Sequence, residues 1–354
     1  MSRFFSEKYK KLVPYTPGEQ PKDMQYIKLN TNESPFPPSQ KAQACAAEAA
    51  KRLQLYSDPE CKELRQKLAE LYSVDPEQIL PTNGSDEILN FAFMAYCDEK
   101  TPAVFPDITY GFYPVFAEIN NVPYETIPLK EDFSIDITDY FNLGKTIFIA
   151  NPNAPTGIAL SKKDIAEILK NNPDNVVVVD EAYVDFGAES CVSLLNEFDN
   201  LLVTQTFSKS RSMAGARLGF GIASREIIAD LNAIKYSTNP YNINSMTMAA
   251  GIGVLCDEEY TKKNCAEIAQ NREQLLRELK ELGFEATASL SNFVFAKCSK
   301  MDGKEIYLRL KEKGILVRHF GTERISPYVR ITIGTKSQMQ ALVKTLSEIL
   351  EEAK

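Results

Sequence analysis

Lys209 stands between two serines in the stretch 200–221, NLLVTQTFSKSRSMAGARLGFG. An apolar β-rich run, Leu201 to Thr204, ends in the hydroxyl side chains Thr206 and Ser208 just ahead of it, and Arg217 opens a second run, Leu218 to Ala223. A lysine at the end of a buried strand gives up hydration and serves as an amine nucleophile toward a carbonyl. Other reactive side chains also follow apolar runs. Asp180-Glu181-Ala182-Tyr183 comes directly after Val176 to Val179, and Asn151-Pro152-Asn153-Ala154-Pro155-Thr156-Gly157 after Ile147 to Ala150. Tyr110 lies in the loop after Ala103-Val104-Phe105. Asn83-Gly84-Ser85-Asp86-Glu87 opens an apolar helix, Ile88 to Tyr96, and a small-residue turn at a helix N-terminus presents backbone amides to an anion.

These groups need elements that bring strand ends together. From Ala103 to Ala223 short β runs alternate with helical segments at Phe112 to Asn120, Lys162 to Asn171 and, just beyond, Glu226 to Ile234. Near-continuous apolar strands in a βα alternation predict a mostly parallel sheet buried on both faces, in an α/β domain. Ligands then bind at the carboxyl ends of the strands. Beyond about residue 245 the pattern changes. Helical segments from Met246 to Leu282 lead to strands at Asn292 to Ala296, Ile315 to Val317 and Val329 to Ile333, then to a last helix, Ser337 to Glu352. We expect an N-terminal arm over 1–38, with one strand at Tyr26 to Leu29, a large domain over 39–245 and a smaller α+β domain over 246–354.

Composition bounds the function. Of 354 residues 44% are apolar and 25% charged, the balance of an ordinary globular chain with a substantial core. A net charge of -8 with a pI near 5.1 argues against nucleic acid or an anionic membrane as a partner. No apolar run reaches membrane-spanning length and residues 1–25 lack an apolar signal core, so the expected location is the cytoplasm. Seven scattered cysteines without a Cys-x-x-Cys pair indicate neither a disulfide framework nor a thiolate zinc site. The single histidine, His319, excludes a multi-histidine metal centre, and no metal is expected. Gly144-Lys145-Thr146 lacks the upstream glycine of a P-loop, where Asp139 stands. Gly219-x-Gly221 and Gly251-x-Gly253 lack the third glycine of a dinucleotide fingerprint.

Together the strand ends supply a lysine, a carboxylate, an amide, a phenol, an aromatic plate and a phosphate turn, the set needed to hold pyridoxal phosphate. Lysine forms the covalent link, a carboxylate pairs with the ring nitrogen, and arginine with hydroxyls takes the phosphate.

Nearly the whole chain resembles the fold-type I (class I/II) pyridoxal-phosphate-dependent aminotransferases, through TNGSDEIL (82–89), PDITYGFY (106–113), NPNAPTG (151–157), VVDEAYVDF (178–186) and TFSKSRSMAGARLGF (206–220). The segments LVPYTPGEQP (12–21), KLNTNESPFPPS (28–39), LYSDP (55–59) and GILVRHF with VRITIGT (314–320, 329–335) are similar to the histidinol-phosphate branch of that family. The resemblance implies the aminotransferase fold type I, with a sheet of the seven-stranded type. It also implies transamination between L-histidinol phosphate and 2-oxoglutarate in histidine biosynthesis. An aromatic amino acid aminotransferase and a threonine-phosphate decarboxylase are the alternatives on the same scaffold. By the same resemblance Lys209 bears the cofactor, Asp180 pairs with the ring nitrogen, Tyr183 contacts the ring 3-oxygen and Tyr110 stacks on the ring. Gly84, Ser85, Thr206, Ser208 and Arg217 bind the cofactor phosphate, and Asp86 is a further cofactor contact. Tyr56 is expected to reach the phosphate of a neighbouring subunit, making a homodimer with shared sites. Arg330 matches the arginine for the substrate anion, with Tyr15, Arg318 and Asn32 as further substrate contacts. Ala154 stands where many relatives place asparagine before Pro-Thr-Gly, and we expect Asn153 to take over the contact to the ring 3-oxygen.

Overall fold

The computed structural model of the chain describes residues 2–10 and 12–352, so Met1 and the last two residues of the expected arm and small domain fall outside it, as does Lys11. In chain order the first eight strands are β1 (Ile27–Lys28), β2 (Ile79–Thr82), β3 (Ala103–Pro106), β4 (Tyr124–Ile127), β5 (Thr146–Ala150), β6 (Val177–Asp180), β7 (Leu201–Thr206) and β8 (Gly219–Ala223). All but β1 form one seven-stranded sheet in the order β2-β8-β7-β6-β5-β3-β4. Only β8 runs against the rest.

The strands read as apolar throughout because both faces are covered. Ile147, Ile149, Val177, Val179, Leu201 and Val203 enter one apolar cluster, and Phe148, Ala150, Val178 and Leu202 enter another. Full burial of each such branched or aromatic side chain is worth about 1.5–3 kcal/mol over exposure, so neither face has reason to be polar. Helices α1 (Gln40–Ala50), α2 (Lys62–Tyr72), α3 (Ser85–Tyr96), α4 (Tyr113–Asn120), α5 (Lys162–Lys170) and α6 (Arg225–Thr238) cover the sheet. Then α7 (Ser245–Leu255) joins the first of these clusters through Met248, Ala250 and Val254, and the long α8 (Glu258–Glu281) leads away.

The remaining strands are β9 (Phe284–Ala286), β10 (Phe293–Cys298), β11 (Ile315–Leu316), β12 (Arg318–His319) and β13 (Tyr328–Thr332), with helices α9 (Gly303–Glu312) and α10 (Lys336–Glu352). A second, antiparallel sheet has the order β12-β13-β10-β9. Its core gathers Leu275 and Leu279 of α8, Ile306 and Leu310 of α9, Leu342 and Leu346 of α10, and Leu29 from the arm. The arm is tied in here, since β1 pairs in parallel with β11.

Several elements differ from the sequence reading, which also placed no strand at β9. The strand expected over Ile315 to Val317 divides, its first part pairing with β1 and the next residues, Arg318–His319, with β13. Pro81 hides β2 from a propensity reading, yet β2 is an edge strand with β8 as its one neighbour, and an edge tolerates a residue without an N–H. Helix α9 was not expected, although Asp302 caps it by accepting from the Lys304 amide at 2.9 Å. Among the described residues, no helix is long and apolar enough to cross a membrane.

Candidate active site

Because β2, β3, β5, β6 and β7 run the same way, the loops after them meet at one edge, and antiparallel β8 begins there. Asp180 is the last residue of β6, in register with Ala150 of β5 and Thr204 of β7. Lys209 follows β7, Tyr110 follows β3, Gly84 and Ser85 follow β2, and Arg217 precedes β8. An inner cavity of about 90 Å³ is lined by Ser85, Asp86, Tyr110, Asp180, Tyr183, Thr206, Ser208, Lys209 and Arg217. An outer one of about 530 Å³ shares Tyr110, Tyr183 and Lys209 and adds Tyr15, Asn32, Arg318 and Arg330.

The phosphate-sized end is built from backbone and hydroxyls. Gly84 holds the N-cap position of α3 at φ +81°, and no side chain caps the helix, so Ser85 is the first helical residue rather than the cap. First-turn amides have no partner within their own helix and remain directed outward. Arg217, itself at φ +56°, donates to Ser208 Oγ at 3.3 Å and pairs with Asp86 at 3.1 Å. The Thr206 hydroxyl donates to Ser208 Oγ at 3.0 Å, and Tyr110 donates to Asp86 Oδ1 at 2.7 Å. Asp86 therefore balances the arginine on one side and holds the aromatic plate on the other. Burial, and next the nearby Asp86 carboxylate, push the Tyr110 phenol well above its usual range, so it stays a donor.

At the other end Asp180 is 5% exposed. It accepts from the Thr204 hydroxyl (3.2 Å), the Ala182 amide (3.2 Å) and the Tyr113 hydroxyl (3.4 Å). Among the described residues no cation pairs with it, and burial, then Asp86, push its carboxyl up to about 6. A buried carboxylate held by neutral donors alone lacks the positive partner that would keep it ionised. A protonated ring nitrogen would supply that partner, and this is where the residues present fit pyridoxal phosphate: carboxylate, lysine, aromatic plate and phosphate turn open into one cavity.

Lys209 Nζ lies 3.4 Å from the Thr31 carbonyl oxygen and 5.7 Å over the Tyr183 ring. The Tyr183 hydroxyl accepts from Asn32 Nδ2 at 3.0 Å. Asn32 adopts φ +57°, which asparagine tolerates, and is anchored to the small sheet through Thr332. Arg330 donates through Nη2 to the Asn30 carbonyl at 3.0 Å, while its buried Nε has no partner. No carboxylate pairs with it among the described residues, and burial lowers its affinity for the proton. Arg318 bonds the Thr16 and Pro17 carbonyls, and Tyr15 stacks on Phe112 with ring centres 4.3 Å apart.

The expectation for Asn153 is corrected. Its amide donates to the Ile108 carbonyl (2.9 Å) and Thr156 Oγ1 (3.1 Å), and its oxygen accepts from Thr109 (2.8 Å). Those bonds bind the turn to the loop after β3 and leave Ala154, not Asn153, lining the cavity. Tyr56 is not among the residues lining either cavity. It is 83% exposed and stacks on Tyr241 at 4.5 Å. His319 is held by the Ser326 carbonyl at 2.8 Å, outside the lining.

Sequence reading missed Tyr113 and Thr204, which hold Asp180, and Gly219. A Cβ on Gly219 would stand 2.3 Å from the Ser85 amide nitrogen, so its bare backbone is what lets α3 approach β8. The rejected Gly219-x-Gly221 pattern was the available signal, a mark of close backbone approach rather than of nucleotide binding.

A family profile described as Aminotransferase class I and II matches residues 24–346. Histidinol-phosphate aminotransferase of Brachyspira hyodysenteriae is 48% identical over 353 residues, 99% of this chain and 100% of that one. The enzyme of the same name from a Marinomonas strain is 49% identical over the same shares. Among solved structures, histidinol-phosphate aminotransferase from Sinorhizobium meliloti in complex with pyridoxal-5'-phosphate shares the fold at TM-score 0.85 and 24% identity, covering 93% of this chain and 92% of that one. Thermus thermophilus aspartate aminotransferase, a mutant, aligns at TM-score 0.83 and 20% identity over 98% and 100%. With the profile spanning most of its length and full-length relatives near half identical, this chain belongs to the class I and II aminotransferase family.

Proposed function

We propose that the chain exchanges an amino group between L-histidinol phosphate and 2-oxoglutarate, giving imidazole-acetol phosphate and glutamate, with pyridoxal phosphate in the inner cavity. The cofactor, when bound, supplies an electron sink conjugated to the amine-bearing carbon of the substrate. Lys209 would hold it covalently through Nζ, and the same amine moves the proton at the substrate's amine-bearing carbon. Asp180 keeps the ring nitrogen protonated, and its isolation among neutral donors supports that role. Tyr183, oriented by Asn32, would contact the ring 3-oxygen without help from Asn153, whose amide is spent on the turn. Tyr110 carries the ring, and Ser85, Thr206, Ser208 and Arg217 hold the phosphate.

Arg330 takes the substrate anion, a carboxylate in one half-reaction and a phosphate ester in the other, because its donor fork suits either. Arg318 and Tyr15 border the same outer cavity on the distal side. Tyr56 completes the phosphate site of a second subunit, a role its exposure favours. The working unit is then a homodimer, acting in the cytoplasm. The arm, the large domain and the small domain divide at about residues 38 and 245.

Near-half identity along the full chain to enzymes that act on histidinol phosphate carries the choice of substrate. The test compares histidinol phosphate, phenylalanine and threonine phosphate as amino donors to 2-oxoglutarate. Glutamate formed fastest from histidinol phosphate is the expected result. A preference for phenylalanine, or carbon dioxide released from threonine phosphate, sinks the assignment.

A further inference from the structure

The loops that carry the reactive groups have a second side. Asp180 and Tyr183 line the inner cavity, whereas Glu181 and Asp185, from the same loop after β6, make their bonds elsewhere. Lys209 lines the cavity, but Ser210 and Arg211 beside it are buried and point to that other side.

There they meet in one hydrogen-bonded chain. Arg211 Nη1 reaches Asp185 Oδ2 at 3.2 Å, and Ser210 donates to the same oxygen. Arg211 Nη2 reaches the Tyr72 hydroxyl, at the end of α2, at 3.2 Å. Tyr72 donates to Gln205 Oε1 at 2.5 Å, and Gln205 donates to Glu181 Oε2 at 2.8 Å. The chain closes from Asp185 back to Glu181 through β7 and α2. The guanidinium also lies 5.0 Å over the Phe207 ring.

We propose that Arg211 is a positioning residue for Lys209: its two arms fix the Lys209 loop to the loop carrying Asp180 and Tyr183, and both to α2. The inference rests on the reading of Lys209 as the cofactor-bearing lysine. Lysine is a long flexible stem whose reach follows its backbone, so a tether one and two residues later decides where the amine sits. A fork is needed, because a lysine ammonium is a point charge and cannot hold Asp185 and Tyr72 in one plane.

The surroundings make this testable. Arg211, Tyr72 and Asp185 line a separate, partly open cavity of about 460 Å³, together with apolar Leu71, Val254 and Cys265 and polar Glu258 and Lys262. The space is ample for a free guanidinium ion.

The experiment uses holoenzyme of wild type, Arg211→Lys, Arg211→Ala and Tyr72→Phe, which removes one arm without stranding a charge. Misplacement of a reacting group by an ångström costs up to about a hundredfold. Arg211→Lys and Arg211→Ala are therefore expected to lose about tenfold or more in kcat with KM changed about twofold or less, and Tyr72→Phe about threefold in kcat. The visible circular dichroism of the bound cofactor, which reports ring orientation, should change in all three. Guanidinium chloride at millimolar concentration should restore kcat of Arg211→Ala, while equal sodium chloride or urea should not. Wild-type kcat and dichroism in Arg211→Lys and Tyr72→Phe would overturn the proposal. So would losses that only track a lowered melting temperature and that guanidinium leaves untouched. A wild type that forms no visible band with pyridoxal phosphate refutes the reading of Lys209 itself, whereas a normal wild-type band with unaltered variants refutes only the role of Arg211.

Discussion

Replacing Gly219 with alanine sets one methyl group against the turn proposed to receive the cofactor phosphate. Gly219 pairs with Thr206 of β7 on one side and Thr82 of β2 on the other. Its added Cβ would lie 2.3 Å from Ser85 N and 2.5 Å from the Gly84 carbonyl carbon. Carbon contacts settle at about 3.5–4.0 Å, so the turn must retreat by roughly 1 Å. Both atoms are backbone, and no side chain can rotate to make room. Overpacking of this kind costs about 1–3 kcal/mol of stability. Each charge-assisted bond from a displaced donor to the phosphate is worth about 1.5–3 kcal/mol, or about 10- to 150-fold in cofactor affinity. The assay titrates apoprotein with pyridoxal phosphate and follows the visible band of the Lys209-linked cofactor, with thermal unfolding run alongside. Gly215→Ala is the control, since nothing stands within 4 Å of a Cβ there. A Gly219→Ala protein that binds cofactor within about twofold of wild type would refute the packing argument, because an amide moved by roughly 1 Å cannot keep its bond.

Other substitutions test the remaining groups. Burial pushes the Asp180 carboxyl up from 3.8 to about 6. Folded apoprotein therefore binds that proton more tightly than the unfolded chain, and the stability it contributes is complete below pH 3.8 and lost as pH rises through 6. Two units at about 1.4 kcal/mol each make this about 3 kcal/mol. Asp180→Asn apoprotein should exceed wild type by about that amount at pH 8 in urea unfolding and by little at pH 4, while losing transamination. Equal curves at both pH values would show that the carboxyl titrates normally. Arg330→Ala should raise KM for both histidinol phosphate and 2-oxoglutarate about tenfold or more, and Arg330→Lys should recover only part, for want of the fork. An Arg330→Ala enzyme that binds both substrates as wild type does fails this assignment. Tyr56→Ala, at an exposed position, should leave unfolding within about 0.5 kcal/mol of wild type yet weaken cofactor binding. Mixing it with Lys209→Ala should regain activity through one intact shared site, and no recovery would count against the shared arrangement.

What the sequence made legible follows from range. Lys209, Asp180 and Tyr110 were readable because each follows an apolar run, and parallel strands bring the ends of such runs to one edge. That edge is set by local pattern alone. The misreading of Asn153 has the opposite cause. Neighbours in a turn point different ways, and which one enters a cavity depends on partners far along the chain, here Ile108 and Thr109. Pro81 hid β2 for a similar reason, because only the finished sheet order makes it an edge strand.

Tyr113 and Thr204 show the same limit from the side of electrostatics. Neither carries charge, and nothing in their spacing distinguishes them from core residues, yet with the Ala182 amide they are the donors that hold the buried Asp180. A carboxylate so held is costly in the empty protein and becomes favourable when a cation arrives, which is what the proposed pairing with a protonated ring nitrogen would supply. Arg330 is the counterpart at the proposed substrate end: a half-buried guanidinium whose buried Nε has no partner and suits an anion. The two ends of the site are thus prepared by the same physical device with opposite sign. A strand-end pattern pointed to Asp180 and a family resemblance to Arg330, while their missing partners could be recognised only in the folded protein.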